Sequence, residues 1–555
     1  MNETLAALGD EYWERYLADN PMFASILGDH RYDDRMGDFS AEAEDRRIAH
    51  LRSIADRAEA IDPDELDPAD RVSLEVLHFS ALGEIDVLEA RLSDFTVNPA
   101  SGIQAILPTA LAQLPIETAE HAVALLERYR DLGHQLGVAA DRLADAAERS
   151  RTSPSVHVDA VIAQLDAHLA TDLDDDPYLR VRNPMSFSDD EMLAWRAELA
   201  TVVADHVRPG FARLREVLAD RVRPVARSAD QPGLGHLPGG EAAYAGLLAY
   251  HTSTDLSAED IHRIGLEQVS RLADEYRSLG GEVLGTTDLA EIFERLRDDP
   301  ALHFETGEEV RAAAETAMAR AKAAMGDWFG RLPQADCLVG EVPSGPVAFY
   351  YPPAEDGSRP GTFFVNTADP TSWARYEIQA TAFHEGIPGH HLQLAISQEL
   401  EDVPAFQRHA RITAYAEGWG LYTERLADEM GLYSSQLDRI GMLSADSMRA
   451  CRLVVDTGLH AMGWTRQQAI DYVVANSPMR LGTIVPEIDR YIGMPGQATA
   501  YMVGRLEIQR IRTDAEQRLG DAFDIKAFHD VVLGSGLVPL GTLERMVDDW
   551  VVDAA

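Results

Sequence analysis

The sequence predicts a mainly α protein: a large, two-lobed helical body with one small sheet. Three observations carry this. Apolar residues recur at helical spacing along most of the 555 residues. Breaks rich in Pro and Gly fall at 98–116, 223–241 and 331–346. Runs with β propensity occur in one region alone, at Val347–Tyr351 and Thr362–Asn366.

In chain order, a helical pattern fills 40–92. Leu125, Tyr129, Leu132, Leu136 and Leu143 then recur at steps of three, four and seven, with charged residues between them. Similar patterns occupy 190–222, 258–300, 306–330 and 505–520. A chain of this length exceeds one simple core. The break at 223–241 is the best candidate for a lobe boundary, giving an N-terminal helical lobe over 1–230 and a second lobe over 231–555. One continuous helical body is the alternative. The two β runs, joined by a Pro/Gly/Asp loop, read as a hairpin. It either braces the helices or offers an unpaired edge to an extended peptide, in which case Phe364 and Asn366 meet the substrate.

Composition narrows the partners. Forty-nine basic residues against 93 acidic ones give a net charge of −44. Such a field repels phosphates, so nucleic acid and anionic membrane are poor partners. Cys337 and Cys451 lie too far apart in sequence to suggest a disulfide framework. The N-terminus has neither a basic segment nor a long apolar run, and no stretch of about 18 apolar residues follows. The expectation is a cytoplasmic protein, monomer or homodimer.

Core packing does not account for one run, His-Glu-Gly-Ile-Pro-Gly-His-His at 384–391. A His-Glu pair followed closely by more histidine in an apolar segment reads as a zinc site with its own general base, Glu385. The spacing is unusual, because four residues after His384 stands Pro388, not histidine. Pro388 has no N–H for the carbonyl of His384, so the helix must bulge or break there. Two extra residues in the turn would bring His390 beside His384; three would bring His391 instead. His390 is preferred, leaving His391 for substrate or for a supporting role.

A third ligand is then needed. In Arg411–Ala427, Tyr415, Trp419, Tyr422 and Leu426 form one apolar stripe, while Glu417 and Glu424 share another face. A carboxylate among apolar surfaces is costly unless paired. Glu417 is the expected ligand and Glu424 the reserve; an ion pair with Arg411 or Arg452 is the alternative. Downstream, Arg452, Asp456 and His460 fall on one helix face, as a carboxylate-oriented imidazole near a metal or as a buried salt-bridge network. Tyr491 and Tyr501 flank Met-Pro-Gly-Gln-Ala, and a phenol near a polarised carbonyl can stabilise an oxyanion.

These segments, with Asn20–Arg35 and Leu237–Tyr244, resemble the bacterial family known as domain of unknown function 885. That family is similar in fold to helical zinc peptidases of the carboxypeptidase Taq and thimet oligopeptidase kind. The resemblance implies a deep central cleft and a small sheet beside the metal-site helix. It also implies zinc on His384, one of His390 and His391, and Glu417, with Glu385 as base and Tyr491 and Tyr501 near the tetrahedral intermediate. The departure is the motif itself, longer by two residues than His-Glu-x-x-His. The expected function is a zinc-dependent peptidase of short peptides. A metal-dependent amidase of another substrate and a peptide-binding protein with a structural metal are the alternatives.

Overall fold

The computed structural model describes residues 2–343, 346–354, 357 and 359–554. The chain opens with α1 (Glu3–Asp19), α2 (Pro21–Ile26), α3 (Ala41–Glu59) and α4 (Pro68–Glu89). Next come α5 (Ile103–Gln113), α6 (Ala119–Glu148), α7 (Ser155–Ala170), α8 (Asp189–Val202) and α9 (Arg208–Val217). Then follow α10 (Gly240–Thr252), α11 (Ala258–Val283), α12 (Leu289–Asp298) and α13 (Gly307–Trp328). A sheet of β1 (Cys337–Val342), β2 (Ala348–Tyr351) and β3 (Gly361–Asn366) precedes α14 (Ile378–Glu385), α15 (His390–Gln398), α16 (Ala405–Arg408) and α17 (Thr413–Glu429). The chain ends with α18 (Gln436–His460), α19 (Arg466–Asn476), α20 (Leu481–Gly493), α21 (Ala500–Leu519), α22 (Ile525–Leu533) and α23 (Leu540–Ala554).

The helix starts are written in the sequence. Ser40, Asp67, Thr118, Ser257, Thr306 and Ser435 each accept a backbone N–H of the first turn. Ser188 with Glu191, and Thr465 with Gln468, close full capping boxes. The stripe of Leu125, Tyr129, Leu132, Leu136 and Leu143 is buried, as its spacing requires.

The cores do not divide at residue 230. Leu5 to Leu88 share one core with the sheet, α14, α15, α17 and the C-terminal helices. One separate core is that of α5–α9, which also holds Met36 and Val97; two others form around α10–α12 with α18, and around α19 and α20. The expected linker at 223–241 is packed in place: a Cβ on Gly233 would lie 1.7 Å from the Leu459 carbonyl. Arg227 donates to the Gly233 carbonyl at 2.7 Å.

The sheet differs from the expected hairpin. Its order is β1-β3-β2, with β3 parallel to β1 and antiparallel to β2. Strand β3 is therefore central, and its backbone is committed on both sides. The unforeseen strand is β1, which lies inside the break at 331–346. Glu355, Asp356 and Ser358 of the loop joining the two expected runs lie outside the described residues. No helix among the described residues is long and apolar enough to cross a membrane.

Candidate metal centre

The helix breaks at the proline. Helix α14 ends at Glu385, the Ile387–Pro388 bond is cis, and α15 begins at His390. Two groups from α17 hold the break. Trp419 donates its indole N–H to the Pro388 carbonyl (3.1 Å), and Thr423 donates its hydroxyl to the Phe383 carbonyl (3.2 Å). The chain turns so tightly that a Cβ on Gly389 would lie 1.9 Å from the His384 carbonyl oxygen. The glycine is therefore a steric necessity.

This turn brings His390 next to His384, their ring centroids 4.8 Å apart. Glu417 lies across from both: its Oε2 is 3.5 Å from His384 Nε2 and 3.4 Å from His390 Nε2. The three ligand atoms fall within 4.8 Å of one another. Gly420, one turn beyond Glu417, makes room for the cluster, since a Cβ there would stand 2.7 Å from the His384 ring. Two imidazoles and a carboxylate, converging from a broken helix and its neighbour, are a donor set that fits zinc.

Behind the cluster, His384 donates Nδ1–H to Glu424 Oε1 at 2.8 Å, which turns Nε2 toward Glu417. Glu424, expected as a reserve ligand, is instead the carboxylate that orients the His384 ring. Removing such a partner loosens the metal. Glu424→Ala is expected to weaken zinc binding by roughly 10–100-fold, read by competition with a chelator.

Electrostatics follow from this packing. Burial pushes the His384 imidazole toward neutrality, but hydrogen bonds and charge from Glu417, Glu424 and Glu385 outweigh it and raise its pKa to about 9. Burial likewise pushes the Glu417 carboxyl up, and His384 and His390 overcome this and hold it well below the usual carboxylate range. Glu385 is half-buried at the end of α14 and has no hydrogen-bond or ion-pair partner among the described residues.

His391 faces away. Its Nδ1 accepts from the Tyr350 hydroxyl (2.8 Å), and its Nε2–H donates to the Ala335 carbonyl (3.1 Å). Both nitrogens are used in bracing the sheet, so His391 is not positioned as a ligand. Phe364 stacks on Phe349 of β2 with centroids 5.1 Å apart. Asn366 accepts from the Ala368 N–H. Neither belongs to an edge strand, because β1 and β2 enclose β3; the expectation of a substrate-pairing edge at Phe364 and Asn366 is corrected on that ground.

The tyrosines separate. The Tyr501 ring stacks near His384, centroids 6.5 Å apart, and the Arg452 guanidinium lies 4.4 Å from the Tyr501 ring centroid. The Tyr491 hydroxyl donates to Glu487 (2.7 Å) and accepts from Arg452 Nε (2.8 Å), while Arg452 Nη2 donates to Glu487 at 2.9 Å. Tyr491 therefore supports Arg452, and of the two tyrosines it is Tyr501 that stands against the His384 ring.

The expected Asp456–His460 contact is not made. Asp456 accepts from the Tyr244 hydroxyl (2.6 Å) and the Gly496 N–H (3.0 Å), both through Oδ1. His460 accepts from the Leu234 N–H (3.1 Å) and donates to the Tyr491 carbonyl (3.1 Å). Arg452 bonds neither. Sharing a helix face brought these groups near, but each found a closer partner from another element. His460 is thus a buried brace, and the catalytic part expected for it has no free ring nitrogen.

These buried histidines carry a prediction. Burial lowers His391 to about 4, His460 to about 3 and His529 to about 3. Below the ordinary imidazole value the unfolded chain binds protons that the folded chain refuses, so stability falls as pH drops from about 6.5 toward 4. The loss between pH 7 and 5 is about 2 kcal/mol per histidine. Asp456, raised to about 7 by burial, has the opposite sign and offsets part of it. Urea midpoints at pH 7 and pH 5 measure the net fall; equal midpoints would refute it.

A helical body built around a broken helix and a His/His/Glu cluster is the class that fold and site define. The chain belongs to the family of bacterial proteins of unknown function DUF885, whose model matches residues 21–547. Among solved structures it is similar to a protein from Colwellia psychrerythraea, provisionally named a lipoprotein, with a TM-score of 0.92 and 27% identity over 99% of each chain. It is also similar to a protein of unknown function from Shewanella oneidensis, likewise provisionally named a lipoprotein. There the TM-score is 0.74 at 17% identity, over 98% of this chain and 99% of the other, a likeness of fold alone. No curated protein matches the chain.

Proposed function

We propose that the chain is a metal-dependent peptidase of short peptides. The observation that carries this is the convergence of His384, His390 and Glu417 within 4.8 Å, with the unpaired Glu385 carboxylate adjacent in sequence to a ligand. His384, His390 and Glu417 would hold one divalent ion, zinc first by donor set, although such sites also accept manganese or cobalt. Bound there, zinc supplies a Lewis acid that polarises a carbonyl and makes water a stronger acid.

The chain's own groups do the rest. Glu385 takes a proton from the attacking water on its carboxylate and returns it to the leaving nitrogen. Tyr501, whose ring stacks near His384 with the Arg452 guanidinium 4.4 Å from its centroid, donates to the developing oxyanion. Glu424 fixes the ring of His384. The edge of β2, a strand packed beside α14 that pairs only with β3 among the described residues, takes over the part expected of β3 and aligns a peptide backbone. Because His391 is spent on Tyr350 and Ala335, three ligands remain, which favours an open catalytic site over a closed structural one.

Digestion of a peptide mixture beside a panel of non-peptide amides tests the substrate class, and exclusive turnover of the amides would replace the peptidase reading. Cell fractionation tests a cytoplasmic location against the lipoprotein naming of the two solved relatives.

A further inference from the structure

The Asn20–Arg35 run takes no part in the centre described above, yet it carries a second convergent cluster. His30 and Asp33 lie in the loop that follows α2, and His121 lies in the first turn of α6. Each offers one ligand atom, and these atoms fall within 4.8 Å of one another. The His30 and His121 rings stack with centroids 3.9 Å apart and planes 22° apart. Asp33 Oδ2 stands 2.7 Å from His30 Nδ1. We propose that His30, Asp33 and His121 form a second divalent-metal site that ties the N-terminal loop to α6.

The carboxylate is built in beforehand. Asp33 is buried, its Oδ1 accepts from the Ser25 hydroxyl, and the same oxygen lies 3.6 Å from Arg128 Nη2. Arg128 is itself 1% exposed, and its Nη2 also donates to Ser25 Oγ (2.8 Å) and the Tyr32 carbonyl (3.0 Å). His121 is held by its stacking on His30 and by a 3.4 Å hydrogen bond from the Glu117 N–H to its Nδ1, which leaves Nε2 for a ligand. Ligands held this way lose little freedom on binding, so the ion need not organise them. Two imidazoles and one carboxylate suit zinc, cobalt or nickel, with water completing the coordination. The Arg128 charge and the partial exposure of His30 make this site the weaker of the two.

The consequence is mechanical. Met22, Met36 and Phe39, on either side of the loop, pack with the core of α5–α9 to which α6 belongs. An ion shared by the loop after α2 and by α6 would fasten that loop to α6 beside the Arg128 contacts, and it would bind the folded chain in preference to the unfolded one.

Zinc titration of the chelator-stripped full chain, followed by calorimetry, tests this. Wild type is expected to take two ions per chain in two phases, one for each cluster. His121→Phe keeps an aromatic ring on His30 but has no ligand atom, so it should lose the weaker phase and retain the stronger. Glu417→Ala should do the reverse, which separates this site from the centre proposed for catalysis. His30→Gln is the second probe of the same phase, and matching circular dichroism melts without metal confirm that both variants fold. A wild-type chain that takes one ion, or a weaker phase that survives both His121→Phe and His30→Gln, would overturn the proposal.

Discussion

Glu385→Gln is expected to lower peptide turnover by roughly 10²–10⁴-fold while the chain keeps its metal. The reasoning is local. Glu385 follows His384 directly, is half-buried, and has no partner among the described residues, so its carboxylate bears on no other bond in the fold. Glutamine matches its shape and can accept no proton. Stability and metal content should therefore stay at wild-type values while the chemical step loses about 3–5 kcal/mol of transition-state stabilisation. Turnover near wild type in the variant would remove Glu385 from the mechanism and leave the cluster as a metal site without a base.

The second large effect belongs to Glu417. Its carboxylate is the shared partner of His384 and His390, at 3.5 and 3.4 Å. Glu417→Ala leaves two imidazole ligands, too few for a catalytic zinc, which takes three protein ligands. The expected outcome is loss of the ion bound at this centre and of turnover together, measured by elemental analysis and peptide digestion on the same sample. Glu417→Asp, with a shorter reach, should retain part of both. An alanine variant that still holds zinc at the centre would assign the third ligand elsewhere, and Glu424 is the nearest carboxylate to try, already 2.8 Å from His384 Nδ1.

The helices and most of this centre were legible in the sequence because both are set by local rules. Periodicity located the buried stripe of α6, and the missing N–H of Pro388 required a break that carries His390 back to His384. Glu417 was legible because a carboxylate in so apolar a helix needs a partner. Long-range pairing was not legible. Strand β1 lies in a segment that reads as a break, and only its register with β3, Cys337 opposite Gly361, makes β3 central. The Asp456–His460 pair failed for a related reason. Spacing of four residues places two groups on one face, but Tyr244, Gly496, Leu234 and Tyr491 arrive from other elements and take their hydrogen bonds. Glu424 was visible as a carboxylate near the site, whereas its hydrogen bond to His384 depends on how α14 meets α17.

The most direct test of the central claim is mass spectrometry of a defined peptide mixture after incubation with zinc-loaded wild type and, in parallel, with Glu385→Gln. New peptide termini are expected to accumulate with wild type and to be absent, or reduced by roughly 10²–10⁴-fold, with the variant. An unchanged mixture with wild type, or the same cleavage with both proteins, would contradict it.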